Sequence, residues 1–119
     1  MGCKWGVKMK RKSNKLAALE RKRWSVFTDN LKKCYFCDNP KNDLHEIFQG
    51  SNRKKSMEWG YVLPVCRFHH ECFKNTMLAL SWQVKCQELF IEEFSLGDWI
   101  DTFHKNYKER LNIYLKEHK

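Results

Sequence analysis

CYFCDNPKNDLHEIFQGSNRKKSMEWGYVLPVCRFHHEC, residues 34–72 of a 119-residue chain, opens on a Cys-x2-Cys pair and closes on a Cys-x2-His-His cluster. Between them, DLHEIF (43–48) and GYVLPV (60–65) have the length and composition of strands, and the polar stretch QGSNRKKSMEW reads as the loop that joins them. The pattern predicts a metal site wrapped around a hairpin. Cys34, Cys37, Cys66 and His69 make two x2-spaced pairs separated by 28 residues, as a tetrahedral zinc ion clamping two chain segments requires. Cys72 is the rival fourth ligand. Cys3 and Cys86 read as a tail thiol and a small core residue.

Working outward, a chain of this length fits one small domain, and so small a core gains from a metal staple. Five tryptophans (Trp5, Trp24, Trp59, Trp82 and Trp99) and an ordinary apolar share exclude a disordered chain. The start, MGCKWGVKMKRKSNK, is charged without the apolar middle of a signal peptide, and no apolar run is long enough to cross a bilayer. The expectation is a cytoplasmic protein with no membrane contact. In that compartment the cysteines read as reduced zinc ligands and not as disulfides.

The net charge of +9 is concentrated at one end. Residues 1–23 carry nine Lys or Arg, among them Lys8, Lys10, Arg11 and Lys12, against Glu20 alone, whereas the other 96 residues are nearly balanced. A basic arm on a near-neutral body is the asymmetry of a protein that meets polyanions, because each neutralised phosphate releases condensed counterions. The competing reading is a solubilising tail. The chain therefore divides into a basic, partly helical arm (1–23), a zinc-binding domain with C-terminal helices (24–107) and a charged tail (108–119).

The flanks are helical in pattern. Ser13 and Asn14 are N-cap candidates ahead of Leu16, Leu19 and Trp24. Ser81 could cap a segment in which Trp82, Cys86, Leu89, Phe90 and Phe94 share a face. Ser95 and Asp98 resemble a capping box before Leu96, Trp99, Ile100 and Phe103. Helical periodicity already accounts for these aromatics as core. The tail KERLNIYLKEHK reads as a frayed helix or an interaction segment. Pro64 cannot donate to a ladder, so the second strand is an edge or is short.

His70 follows the zinc ligand His69 and points about 100° away from it round a helix, which frees it to face the hairpin. With His45 and Glu46 it could hold one catalytic divalent cation against a phosphodiester. Strand alternation, however, sends His45 and Glu46 to opposite faces unless a bulge intervenes. The competing reading has His70 packing and His45 on the surface.

Cys-x2-Cys, a strand carrying His, and Cys-x2-(Cys/His)-His together resemble the HNH endonucleases. FTDNLKKCYFC, HEIFQGSNRKKS, GYVLPVCRFHH and DWIDTFHKNY are similar to small HNH-like proteins of phages and prophages, over roughly residues 24–107. The resemblance implies an α+β fold: a zinc-stapled ββα-metal hairpin and helix, flanked by N-terminal and C-terminal helices. It implies structural Zn2+ at Cys34, Cys37, Cys66 and His69, and His70 as ligand of a catalytic Mg2+ or other divalent ion. Aligning HEIF with the family's His-His-Ile-Phe gives His45 the second ligand position and Glu46 the place of the general base. The other register makes His45 the base and leaves Leu44 where a ligand belongs. The family's middle Asn falls at Tyr61, and the nearest asparagine is Asn52.

The implied activity is metal-dependent nicking or cleavage of DNA, with Arg53, Lys54 and Lys55 contacting phosphates and phage or host recombination or packaging proteins as partners. The alternative is a non-catalytic, zinc-stabilised nucleic-acid-binding or recombination accessory protein. A protein-interaction zinc module is a third reading. Oligomeric state is not encoded in any of these features.

Overall fold

A computed structural model describes residues 14–118. The first strand, β1 (Asp43–Glu46), pairs antiparallel with β2 (Val62–Val65) in the register Asp43↔Val65, Leu44↔Pro64, His45↔Leu63 and Glu46↔Val62. Both strands are edges, so Pro64 fits without loss of a partner, and its carbonyl accepts from the Tyr35 N–H at 2.7 Å. Six helices complete the α+β fold among the described residues. They are α1 (Asn14–Arg21), α2 (Arg53–Glu58), α3 (Arg67–Cys72), α4 (Thr76–Glu93), α5 (Leu96–Phe103) and α6 (Tyr107–Glu117).

The expected strands are shorter than their apolar runs, and the expected loop between them is structured. After Glu46 the chain turns inward: the Ile47 N–H still donates across to the Tyr61 carbonyl at 3.0 Å, and the side chains of Ile47 and Phe48 enter the core. A 3-10 turn at Gly50–Asn52 then leads into α2. Ser56 of α2 is fully buried and holds the segment in place: its hydroxyl donates to the Tyr61 carbonyl at 2.6 Å and accepts from the Phe48 N–H at 3.2 Å. Gly60 reverses the chain at φ +73°, a left-handed conformation that only glycine takes without strain.

At the C-terminal side the caps decide the helix boundaries. Asn75, not Ser81, starts α4, its side chain accepting from the Leu78 N–H. Ser81 lies inside the helix and donates back to the Met77 carbonyl at 2.7 Å. Ser95 caps α5 as its spacing predicts, accepting from the Asp98 N–H. The charged segment set apart at residue 108 is the body of α6, which packs against α4 and is capped by Asn106. Buried Gln87 ties α4 to the start of α6: its oxygen accepts from the Tyr107 N–H at 2.7 Å and its amide donates to Asn106 at 2.9 Å.

One aromatic core lies between the hairpin and these helices. Phe48 is fully buried, with the rings of Phe103, Tyr107 and Trp99 centred 5.0, 4.9 and 5.6 Å away, and Trp99 stacks on Phe103 at 3.9 Å. The helical pattern predicts Cys86, Phe90, Trp99 and Phe103 inside, and they are buried; Leu89, Phe94, Leu96 and Ile100 of the predicted faces remain exposed. No helix among the described residues is long and apolar enough to cross a membrane.

Candidate metal centre

The segment from 22 to 42 has no regular helix or strand, and backbone hydrogen bonds hold it against the hairpin. An isolated bridge pairs Lys33 with Pro40, the Cys34 N–H donates to the Asn39 carbonyl, and the Asn42 N–H donates to the Val65 carbonyl. This knuckle delivers Cys34 and Cys37 to the start of α3, where Cys66 occupies the N-cap and His69 follows one turn later. The donor atoms of Cys34, Cys37, Cys66 and His69 all lie within 4.8 Å of one another. The sulfurs of Cys37 and Cys66 are 3.8 Å apart, too far for a disulfide and close to the edge of a tetrahedron built on Zn–S bonds of about 2.3 Å. His69 turns Nδ1 inward, 3.2 Å from the Cys66 sulfur and 3.4 Å from that of Cys34. The tetrad could hold a metal ion such as zinc. Cys72, the rival ligand, is a half-buried free thiol outside it.

The thiols are unequal before any cation arrives. Burial opposes charge on Cys34, but the N–H groups of Cys66, Phe36 and Cys37 and the Cys37 thiol outweigh it and bring its pKa down to about 6. At Cys37 the Asn39 N–H pulls the pKa down, yet burial and the neighbouring Cys34 and Cys66 together push it up. One thiolate is thus formed readily, and a cation held by the tetrad would displace the remaining protons.

A second group of side chains gathers on the face of β1 that meets α3. Asp43 and His45, two residues apart, both point there. The His45 ring lies 5.4 Å from the His70 ring and 4.2 Å from that of Phe73, and Asp43 Oδ2 is 3.6 Å from His70 Nδ1. His45, His70 and Phe73 line an open cleft of about 240 Å3 together with Gln49, Glu71 and Lys74; Asp43 meets His70 outside that lining. Burial, and then the nearby His70, push His45 down to about 4 against the opposing pull of Asp43, so its imidazole is neutral at neutral pH. Asp43 is the residue that sequence reasoning missed. The period-2 rule that separates Glu46 from His45 is also the rule that puts Asp43 beside it.

Glu46 is on the other face. It is 6% exposed and lies 3.0 Å from Arg53 Nε and 3.0 Å from Arg23 Nε, in a cluster completed by Glu20, 2.6 Å from Arg53. The Arg23 contact is one of charge without an aligned hydrogen bond, since neither Arg23 Nε nor Glu46 Oε2 finds a hydrogen-bond partner. Strand alternation without a bulge accounts for the separation of Glu46 from His45 and His70. Arg53 is therefore committed to carboxylates, and Lys55 donates to the Thr102 carbonyl at 3.1 Å. Lys54 shares α2 and is half-buried.

Asn52, buried, donates to the Phe103 carbonyl and the Tyr107 hydroxyl at 2.9 and 3.0 Å, and Tyr61 packs in the core against Phe48 and Phe103. Neither lines the cleft. Lys8, Lys10, Arg11 and Lys12 lie outside the described residues. No family model matches the chain, and no significant match emerges among curated proteins or solved structures.

Proposed function

We propose that the chain is a zinc-stapled, divalent-metal-dependent DNA endonuclease or nickase of the HNH type, of the kind found in phages and prophages. The observation that carries the reading is the cleft beside the tetrad lined by His45 and His70, with Asp43 3.6 Å from His70 Nδ1. Asp43 and His70 are the pair suited to holding the cation, one supplying negative charge and the other an imidazole nitrogen. A cation such as Mg2+ bound there would offset the charge of a phosphodiester and ease deprotonation of water. His45, neutral at neutral pH, is the base left on the cleft once Glu46 is committed elsewhere. The negative charge of a bound phosphate raises the proton affinity of His45 toward what the step needs. Asp43 also removes the objection to this register, because no apolar residue then stands at the cation.

Supercoiled plasmid incubated with the protein and Mg2+ or Mn2+ tests this. His45→Ala and His70→Ala are each expected to lower nicking by about a hundredfold or more, while Glu46→Gln, where folded, retains it. Nicking by His70→Ala equal to that of the unaltered protein, or none by either with any divalent ion, overturns the proposal.

The commitment of Glu46 to Arg23 and Arg53 favours one second reading, a non-catalytic zinc-stabilised DNA-binding accessory protein. In that case DNA binding is intact, falls steeply with salt, and no nicking accompanies it.

A further inference from the structure

Around the tetrad one aromatic ring stands largely in solvent and two more, packed against Trp82, are partly exposed. Phe68 of α3 is 69% exposed, Tyr35 39% and Phe36 37%. They form one patch. Phe36 and Phe68 both lie against the His69 ring, with centroids 5.3 and 5.1 Å away, and Tyr35 meets Phe36 edge-on at 5.3 Å. Exposed cations precede each ring in sequence: Lys32 and Lys33 before Tyr35 and Phe36, and Arg67 before Phe68. Lys41 joins Lys32 on the knuckle, since its N–H donates to the Lys32 carbonyl at 2.9 Å. With Asp29 and Asp38 as the acidic residues of the same knuckle, the charge there is net positive.

Rings alone would fit any apolar partner, and cations alone any polyanion. The two interleaved fit a nucleic-acid strand whose bases are unstacked, its phosphates meeting Lys and Arg while its bases lie on aromatic faces. A fully paired duplex keeps its bases stacked on one another and offers the patch only phosphates. We propose that the zinc knuckle and the exposed side of α3 form a stacking platform for unpaired bases, with Phe68 as its principal ring. The inference rests on the nucleic-acid reading above and names its substrate class: DNA carrying a single-stranded stretch. Phe68 and His70 are two residues apart, about 200° round the helix. A strand stacked on Phe68 crosses α3 to bring a phosphate to the cleft on its other side.

Fluorescence anisotropy with zinc-loaded protein, using a labelled oligothymidylate and a blunt duplex of equal length, tests the platform. Phe68→Ala is expected to weaken single-strand binding about tenfold or more and to leave duplex binding nearly unchanged. Because the ring is already largely exposed, zinc content and melting temperature stay as they were. Phe68→Tyr, which keeps the aromatic face, restores binding. Unchanged single-strand affinity in Phe68→Ala overturns the platform and leaves the nuclease reading standing. Failure of the unaltered protein to bind either DNA overturns both.

Discussion

Glu46 belongs to an ion-pair cluster assembled from three elements and the segment after α1, and its side chain is 8% exposed. Removing one partner of a buried pair strands the others, which costs more than the pair contributes. Glu46→Gln leaves Arg23 and Arg53 with Glu20 as their remaining carboxylate and is expected to destabilise the fold by about 2 kcal/mol, read from urea unfolding. Stability unchanged by this substitution would release Glu46 for catalysis. One position back, His45 ties stability to pH. Its folded pKa of about 4 lies below the ordinary 6.5, so between those values the unfolded chain takes up a proton that the native state does not. Stability on this account is full above pH 6.5 and falls as the pH drops toward 4, by on the order of 2 kcal/mol. Acid also strips zinc ligands, so the comparison is with His45→Gln: the difference between the two unfolding curves isolates the imidazole, and parallel pH profiles would count against its burial.

At the scale of elements, the parts visible in the sequence are those whose physics is periodic or covalent in spacing. The x2 pairs locate the tetrad, since ligands one helical turn or one knuckle apart must converge on a single ion. Helices α4 and α5 follow from apolar residues at helical intervals. Helix α2 was not legible, because its segment begins with the turn formers Gly50, Ser51 and Asn52, and two of the residues it buries, Asn52 and Ser56, are polar. Hydrogen bonds to Phe103, Tyr107, Phe48 and Tyr61 fix that segment, and no hydropathy pattern records such partners. Asp43 is hidden for a related reason: its contact is with His70, 27 positions later in the chain. The turn after α2 offers its own test. A Cβ on Gly60 would stand 2.9 Å from the Trp24 ring, at a positive φ. Gly60→Ala is therefore expected to cost about 1–3 kcal/mol in thermal or urea unfolding, and a neutral outcome would mean that Trp24 does not lie over the turn.

Across the whole molecule, the hairpin consists of two four-residue strands, and a pair of strands is marginal in water without something to pack or tie it. One face has the aromatic core. The knuckle side has the tetrad, and there Tyr35 and Phe36 are only partly buried, against Trp82. Metal occupancy should then control the stability of the cleft, because β1, β2 and α3, which carry Asp43, His45 and His70, meet next to Cys66 and His69. Protein purified with zinc is expected to contain one ion per chain by elemental analysis, and strong chelation to lower the melting temperature by on the order of 10 °C or more. Cys66→Ser should do the same without chelator. Phe90, Trp99, Phe103 and Tyr107 also pack on one another without the hairpin's side chains, so helical circular dichroism from α4 to α6 should outlast the loss of the hairpin. A melting temperature indifferent to chelation, with zinc removed, would mean that the four donors converge without serving as a staple. Loss of all helical signal at once would instead mean that the core cannot stand without the metal.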